Sequence, residues 1–343
     1  MNKTKIDRRA LLGGLTAAFV APRYSFAASI TDATGRTVTA PDRLMRIYPA
    51  GPPAAVELYT LAPDLLMGWL EPIGQEEREF LLPESAALPK SPRLTGRDSD
   101  DINLGALASL KSDLILDVGN VDAAYSSLAE RVQQQSGIPY VLLDGHLDRI
   151  GATYRALGRF IGRSEQAETL ARHAETTIAT ITQRSAEVPN DARPRVYYAR
   201  DKSGVQTGFG GSMISEPIEF LGAHNVADGA HGVATIQQVT AWNPEIIVAG
   251  DRESAAQVRS DPAWAAIATV KSGRVYLSPK LPFGWIDYPP AVNRLIGLWW
   301  LAKIFYPDRF PEDIKKLTRH FYTVFYHVTP TAAQIERVLA GSN

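Results

Sequence analysis

Two hydrophobic patterns alternate along the chain. Short continuous apolar runs ("RIYPA" from 46, "LILDVG" from 114, "YVLLD" from 140, "RVYYA" from 195, "IIVAG" from 246, "RVYLS" from 274) read as strands buried on both faces. Between them lie stretches with apolar residues at helical spacing, so strand–helix units and mainly parallel sheets are expected. The units also echo one another. Residues 103–119, "NLGALASLKSDLILDVG", and residues 235–251, "TIQQVTAWNPEIIVAGD", each give a short helix, a polar turn with an acid (Asp113 or Glu245) and an apolar strand. "SGIPYVLLD" is answered by "SGRVYLSP", and the loop-and-helix after Arg46 by that after Arg195. Three echoes in one order predict two similar α/β lobes, residues 29–146 and 189–343.

Between the lobes, residues 147–188 carry Leu147, Ile150, Tyr154, Leu157 and Ile161, then Leu170, Ala174, Ile178 and Ile181, at helical spacing. Gly162 interrupts the pattern and Ser164 can cap the next helix. The second part predicts a bridging helix about 36 Å long, enough to brace one lobe against the other.

The N-terminus speaks about location. Residues 1–28 combine a basic start, Arg8-Arg9, a short apolar core and small residues before Ala28. This is the pattern of a cleaved export signal of the twin-arginine type, with an ordinary Sec signal as the alternative. The chain has no cysteine, which excludes disulfides, thiolate metal sites and a lipidated N-terminal Cys. A net charge of -1 gives no reason to expect nucleic acid. A hydrophobic content of 45% is enough for substantial cores, and no later apolar run is long and uncharged enough to span a bilayer. A monomeric periplasmic protein is the expectation.

In this order and spacing, "ITDATGRTVTAPDRLMRI", "NLGALASLKSDLILDVG", "GIPYVLLD", "ALGRFIGRSEQAETLA" and "IEFLGAHNVAD" resemble the helix-bridged periplasmic substrate-binding proteins of ABC importers, which serve ferric siderophores, cobalamin, haem and metal oxyanions. The resemblance spans nearly the whole chain after the export signal. It implies a ligand cleft between two lobes and an inner-membrane ABC permease as partner. The family usually places a Glu in each lobe for docking to the permease. Here those positions hold Gly105 and Gln237, with Asp100, Asp101, Glu216 and Glu219 nearby as substitutes.

Ligands of open α/β sheets sit beyond the carboxyl ends of the strands. The candidate loops are therefore residues 48–53, 119–122 and 144–146 in the first lobe, and 200–212, 250–252 and 279–290 in the second. In "LPFGWIDYPPAVNR", residues 281–294, Trp285 and Tyr288 are expected to form one flat wall of the cleft, with Tyr48 opposite and Phe283 less exposed. Arg97, Arg200 and Arg294 are the candidate anion-binding cations, because a guanidinium stays charged and matches oxyanions with its fork. "GFGGS", residues 208–212, offers backbone N–H groups to an anion. His146 is a candidate direct metal ligand, although no metal-binding spacing is present. Trp299 and Trp300 read as core. No nucleophile elbow or acid–base pair stands out, so no catalysis and no cofactor are expected. The expected ligand is an iron-siderophore or similar metal chelate. Molybdate or tungstate, cobalamin and haem are alternatives within the class, and an exported carrier or sensor is the alternative outside transport.

Overall fold

The computed structural model describes residues 28–41, 43–94, 103–229 and 232–342. All but the last residue of the expected export signal, together with Arg97, Asp100 and Asp101, lies outside the described residues.

An antiparallel hairpin, β1 (Ser29–Thr31) and β2 (Thr37–Thr39), opens the fold. A parallel sheet follows in the order β3 (Ile47–Pro49), β4 (Leu114–Gly119), β5 (Tyr140–Asp144). The second half has a parallel sheet in which β6 (Arg195–Ala199), β7 (His224–Asn225), β8 (Ile246–Ala249) and β9 (Val275–Leu277) take the order β7-β6-β8-β9. All residues of β4 and β8 are buried, which explains why these strands read as continuous apolar runs.

The echoed acids do the same work in both halves. The Asp113 carboxylate accepts the N–H groups of Met45 and Arg46 at 2.7 and 2.9 Å. The Glu245 carboxylate accepts the Arg195 N–H at 2.9 Å. In each case the acid opens a central strand and satisfies orphan donors at the start of its neighbour, setting the register of the pair. Helix starts are similarly specified. Asp122 caps helix Ala123–Ser136, and Thr235 and Asp251 form capping boxes on Ile236–Trp242 and Arg252–Ser260.

The bridge consists of helix Ile150–Phe160, a break at Gly162, and the 23-residue helix Ser164–Ala186. The long helix packs on both Pro52–Leu61 of the first half and Arg294–Phe305 of the second. The chain then returns to the first half. After helix Ile314–Phe325, the Tyr326 carbonyl accepts the Tyr59 hydroxyl at 2.6 Å, and Arg337 pairs with Glu79 at 2.7 Å. One apolar core consequently runs through both halves, from Ile30 to Leu339. A core this continuous opposes large hinge motions and leaves smaller changes of lobe separation to the contacts between the facing loops.

Candidate functional site

In a two-lobed parallel fold the cleft lies where the loops after β3, β4 and β5 meet those after β6, β8 and β9, and residues 145–147 after β5 do touch the second half at Met213, Glu216 and Arg294. Of the expected site residues, Arg200 and Tyr288 come together here. Arg200 directly follows β6. Its Nε donates to the buried Asp287 carboxylate, and its guanidinium carbon lies 4.8 Å from the Tyr288 ring centre. Tyr288 returns the contact, its hydroxyl donating to the Arg200 carbonyl at 2.8 Å. Lys280 Nζ also lies 4.8 Å from the same ring centre. Burial pushes the Tyr288 phenol up to about 12, so it is a neutral donor. Burial opposes the Arg200 charge, but Asp287 beside it reverses the effect and leaves its pKa above the ordinary value.

Tyr288 has φ +66°, a left-handed conformation that is unfavourable for an aromatic residue. Its N–H and its hydroxyl both hold it there, the former donating to Asp287 Oδ1 at 2.7 Å. The Arg200 side chain keeps 27% of its surface exposed. Among the described residues its Nη groups have no hydrogen-bond partner. With its Nε held and its face stacked, the guanidinium presents its two Nη groups in a fixed position at the edge of the sheet.

The remaining expectations about the wall need correction. Trp285 is fully buried in the core shared by the halves; Phe283, expected to be the less exposed of the three, packs between Trp69 and Tyr326 at 5.7 and 5.6 Å. The loop folds inward because Gly297 lets helix Arg294–Phe305 lie directly on it: a Cβ there would stand 1.8 Å from the Trp285 carbonyl oxygen. Tyr48 is also fully buried, its hydroxyl bonded to the Pro92 carbonyl, since as a β3 residue it points into the first half's second core cluster. Arg294 is inaccessible as well. It pairs with Glu216 and donates to backbone carbonyls on both sides of the lobe junction. Trp300 is core as expected, whereas Trp299 is partly buried beneath Arg184.

The glycine loop is partly spoken for. The Gly211 N–H donates to Glu219 Oε2 at 3.2 Å, and Glu219 also takes Ser215 Oγ and Asn225 Nδ2, so a carboxylate already occupies this donor. Glu216 and Glu219 therefore do not stand free as substitute docking acids. Gly105 and Gln237 are exposed at matching places in the two halves. His146 Nδ1 lies 2.6 Å from Asp144 Oδ1, and no group of three or more metal-ligating side chains occurs among the described residues.

Sequence reasoning missed three groups. Asp287 fixes Arg200, and Lys280 adds charge beside it. Glu57, inside helix Pro52–Leu61, is fully buried; burial raises its pKa to about 8, while Arg294 and Tyr154 hold it from going higher. An acid within the apolar run "AAVELYTLA" was the available signal for Glu57. A groove of about 380 Å³ also opens beside the ends of β8 and β9, lined by Glu76, Glu77, Asp251, Ser278 and Lys280 among others.

Residues 87–281 match the family model described as periplasmic binding protein. The chain belongs to that family. It is a periplasmic binding protein of the ABC-importer type, with the two-lobed parallel α/β fold of its solved relatives. It is 26% identical over 330 residues to the molybdate-binding protein MolA of Haemophilus influenzae, covering 88% of this chain and 91% of that one. An ABC transporter solute-binding protein from Sulfurospirillum deleyianum superposes with a TM-score of 0.80 at 26% identity, over 91% of this chain and 98% of the other. MolA bound to molybdate shares the fold, with a TM-score of 0.72 at 23% identity over 88% and 99% of the two chains. Among the described residues no helix is long and apolar enough to cross a membrane.

Proposed function

We propose that this periplasmic binding protein captures a metal oxyanion of the molybdate or tungstate class between its lobes and delivers it to an inner-membrane ABC permease. The observation that carries the reading is Arg200, immobilised by Asp287 and Tyr288 at the carboxyl edge of β6 with its Nη donors unbonded among the described residues. Arg200 and Lys280 both stand over the Tyr288 ring, two cations that an arriving oxyanion can meet. Burial of Trp285 leaves Tyr288 alone of the two-residue aromatic wall on which a ferric chelate was expected to rest. The extensive similarity to a molybdate-binding protein supports the same choice.

A second reading rests on a different observation. Val121 after β4, Tyr125 in the first turn of the helix that follows, and Phe209 in the loop after β6 are large exposed apolar residues near strand ends. They would cover the organic shell of a ferric siderophore or a corrinoid.

Titration calorimetry of the protein without residues 1–27 separates the two, using molybdate, tungstate, sulfate, ferric hydroxamate, ferric catecholate and cobalamin. Saturable binding of molybdate or tungstate but not sulfate, lost in Arg200→Ala, is the expected result. Binding of a ferric chelate or cobalamin, weakened by Phe209→Ser instead, would replace the oxyanion reading with the second.

A further inference from the structure

Arg294 is fully buried, and a buried guanidinium is tolerated only where its donors are satisfied. Burial pulls its pKa down, and the neighbouring Glu216 carboxylate counters this. The way its donors are satisfied crosses the molecule. Nε donates to the Ala291 carbonyl at 3.1 Å and Nη1 to the Met213 carbonyl at 3.4 Å, both within the second half. Nη1 also meets Glu216, and Nη2 donates to the Gly145 carbonyl, which lies in the loop just beyond β5 of the first half. The other Glu216 oxygen accepts the Leu147 N–H, two residues further along that loop, at 2.9 Å.

The anchored loop is joined to its neighbour, since the Gly145 N–H donates to the Gly119 carbonyl at the end of β4 at 2.9 Å. The Met213 side chain fills the space beside Gly145, where a Cβ would come within 2.7 Å of its methyl group. Two of the first half's three cleft loops are thus tied, directly or through one hydrogen bond, to a single ion pair of the second half.

We propose that Arg294 and Glu216 are a positioning pair that fixes the separation of the two cleft walls. They do not touch the ligand; they hold the first half's loops at a set distance from Arg200. The effect on affinity rests on the oxyanion reading above, whereas the effect on lobe separation does not.

The absence of cysteine makes the test direct, because Ser127→Cys and Ala256→Cys place spin labels at only two exposed sites, on helices Ala123–Ser136 and Arg252–Ser260. Pulsed dipolar spectroscopy then reads the inter-lobe distance in the otherwise native chain and in Glu216→Leu/Arg294→Met. The double variant removes both charges together, so neither is left buried and unpaired. A narrow native distribution that at least doubles in width, with molybdate binding weakened roughly tenfold or more, is the expected result. An unchanged distribution in a cooperatively folded double variant overturns the proposal. Should that variant not fold, Arg294→Lys decides: a single ammonium lacks the planar fork that serves Glu216 and Gly145 together, and a native-like distribution there overturns the proposal equally. If the distribution broadens but molybdate binds neither protein, the pair keeps its positioning role and the oxyanion reading fails.

Discussion

The Arg200 guanidinium stacks 4.8 Å from the ring centre of Tyr288, and the Tyr288 hydroxyl donates to the Arg200 carbonyl at 2.8 Å. Each residue therefore holds the other, and Asp287 locks the pair from beneath. Such a pre-set fork loses little conformational freedom when an oxyanion arrives. Arg200→Lys keeps the charge but not the fork. It is expected to weaken molybdate or tungstate binding about tenfold, the scale of one charge-assisted hydrogen bond. Calorimetry on Arg200→Lys and Arg200→Ala checks this, and native affinity in both would remove Arg200 from the site.

Trp285 lies in the shared core, so its truncation should be felt as lost stability. Trp285→Ala is expected to cost about 3–5 kcal/mol, with Trp285→Phe considerably milder. Urea unfolding measures the loss. Ligand affinity, taken at a temperature where the variant is still folded, should change far less.

Glu57 predicts a pH dependence with a definite sign. Its folded pKa, about 8, lies above the ordinary value of 4.5 because burial disfavours the charge. The folded chain retains a proton that the unfolded chain releases. This contribution to stability is therefore greatest below about pH 4.5 and is lost as pH rises towards about 8, with a slope of roughly 1.4 kcal/mol per pH unit at most. Glu57→Gln should flatten that slope. Urea unfolding of both proteins at several pH values in this window is the measurement, and parallel curves would show that Glu57 is not the titrating group.

At Gly145 the two halves pack closely. A Cβ there would lie 2.7 Å from the Met213 methyl and 3.2 Å from the Gly119 backbone. Met213 can swing aside, whereas the Gly119 backbone cannot. Gly145→Ala should cost about 1–3 kcal/mol, and adding Met213→Ala should recover only part of it in a double-mutant cycle. Complete recovery would mean that the loops after β4 and β5 tolerate separation.

Much of the fold was legible in the sequence because its signals are local. An apolar run flanked by turn residues specifies a buried strand wherever it occurs, and Asp113 and Glu245 mark matching strand starts because each serves backbone donors beside it. The break at Gly162 and the long helix after it follow from spacing in the same way. Whether an aromatic or an arginine faces the cleft is a different question, settled by partners distant in sequence. Trp285 is buried because Gly297 lets a helix close over its loop, and Arg294 because Glu216 and Gly145 together supply enough acceptors to compensate its lost hydration. Arg200 stays partly exposed because Asp287 and Tyr288 satisfy only its Nε and one face. Strands, helices and the repeated architecture are thus written in local pattern. Which charged and aromatic side chains are left for a ligand is set by long-range packing, because desolvation depends on neighbours that the chain brings together only on folding.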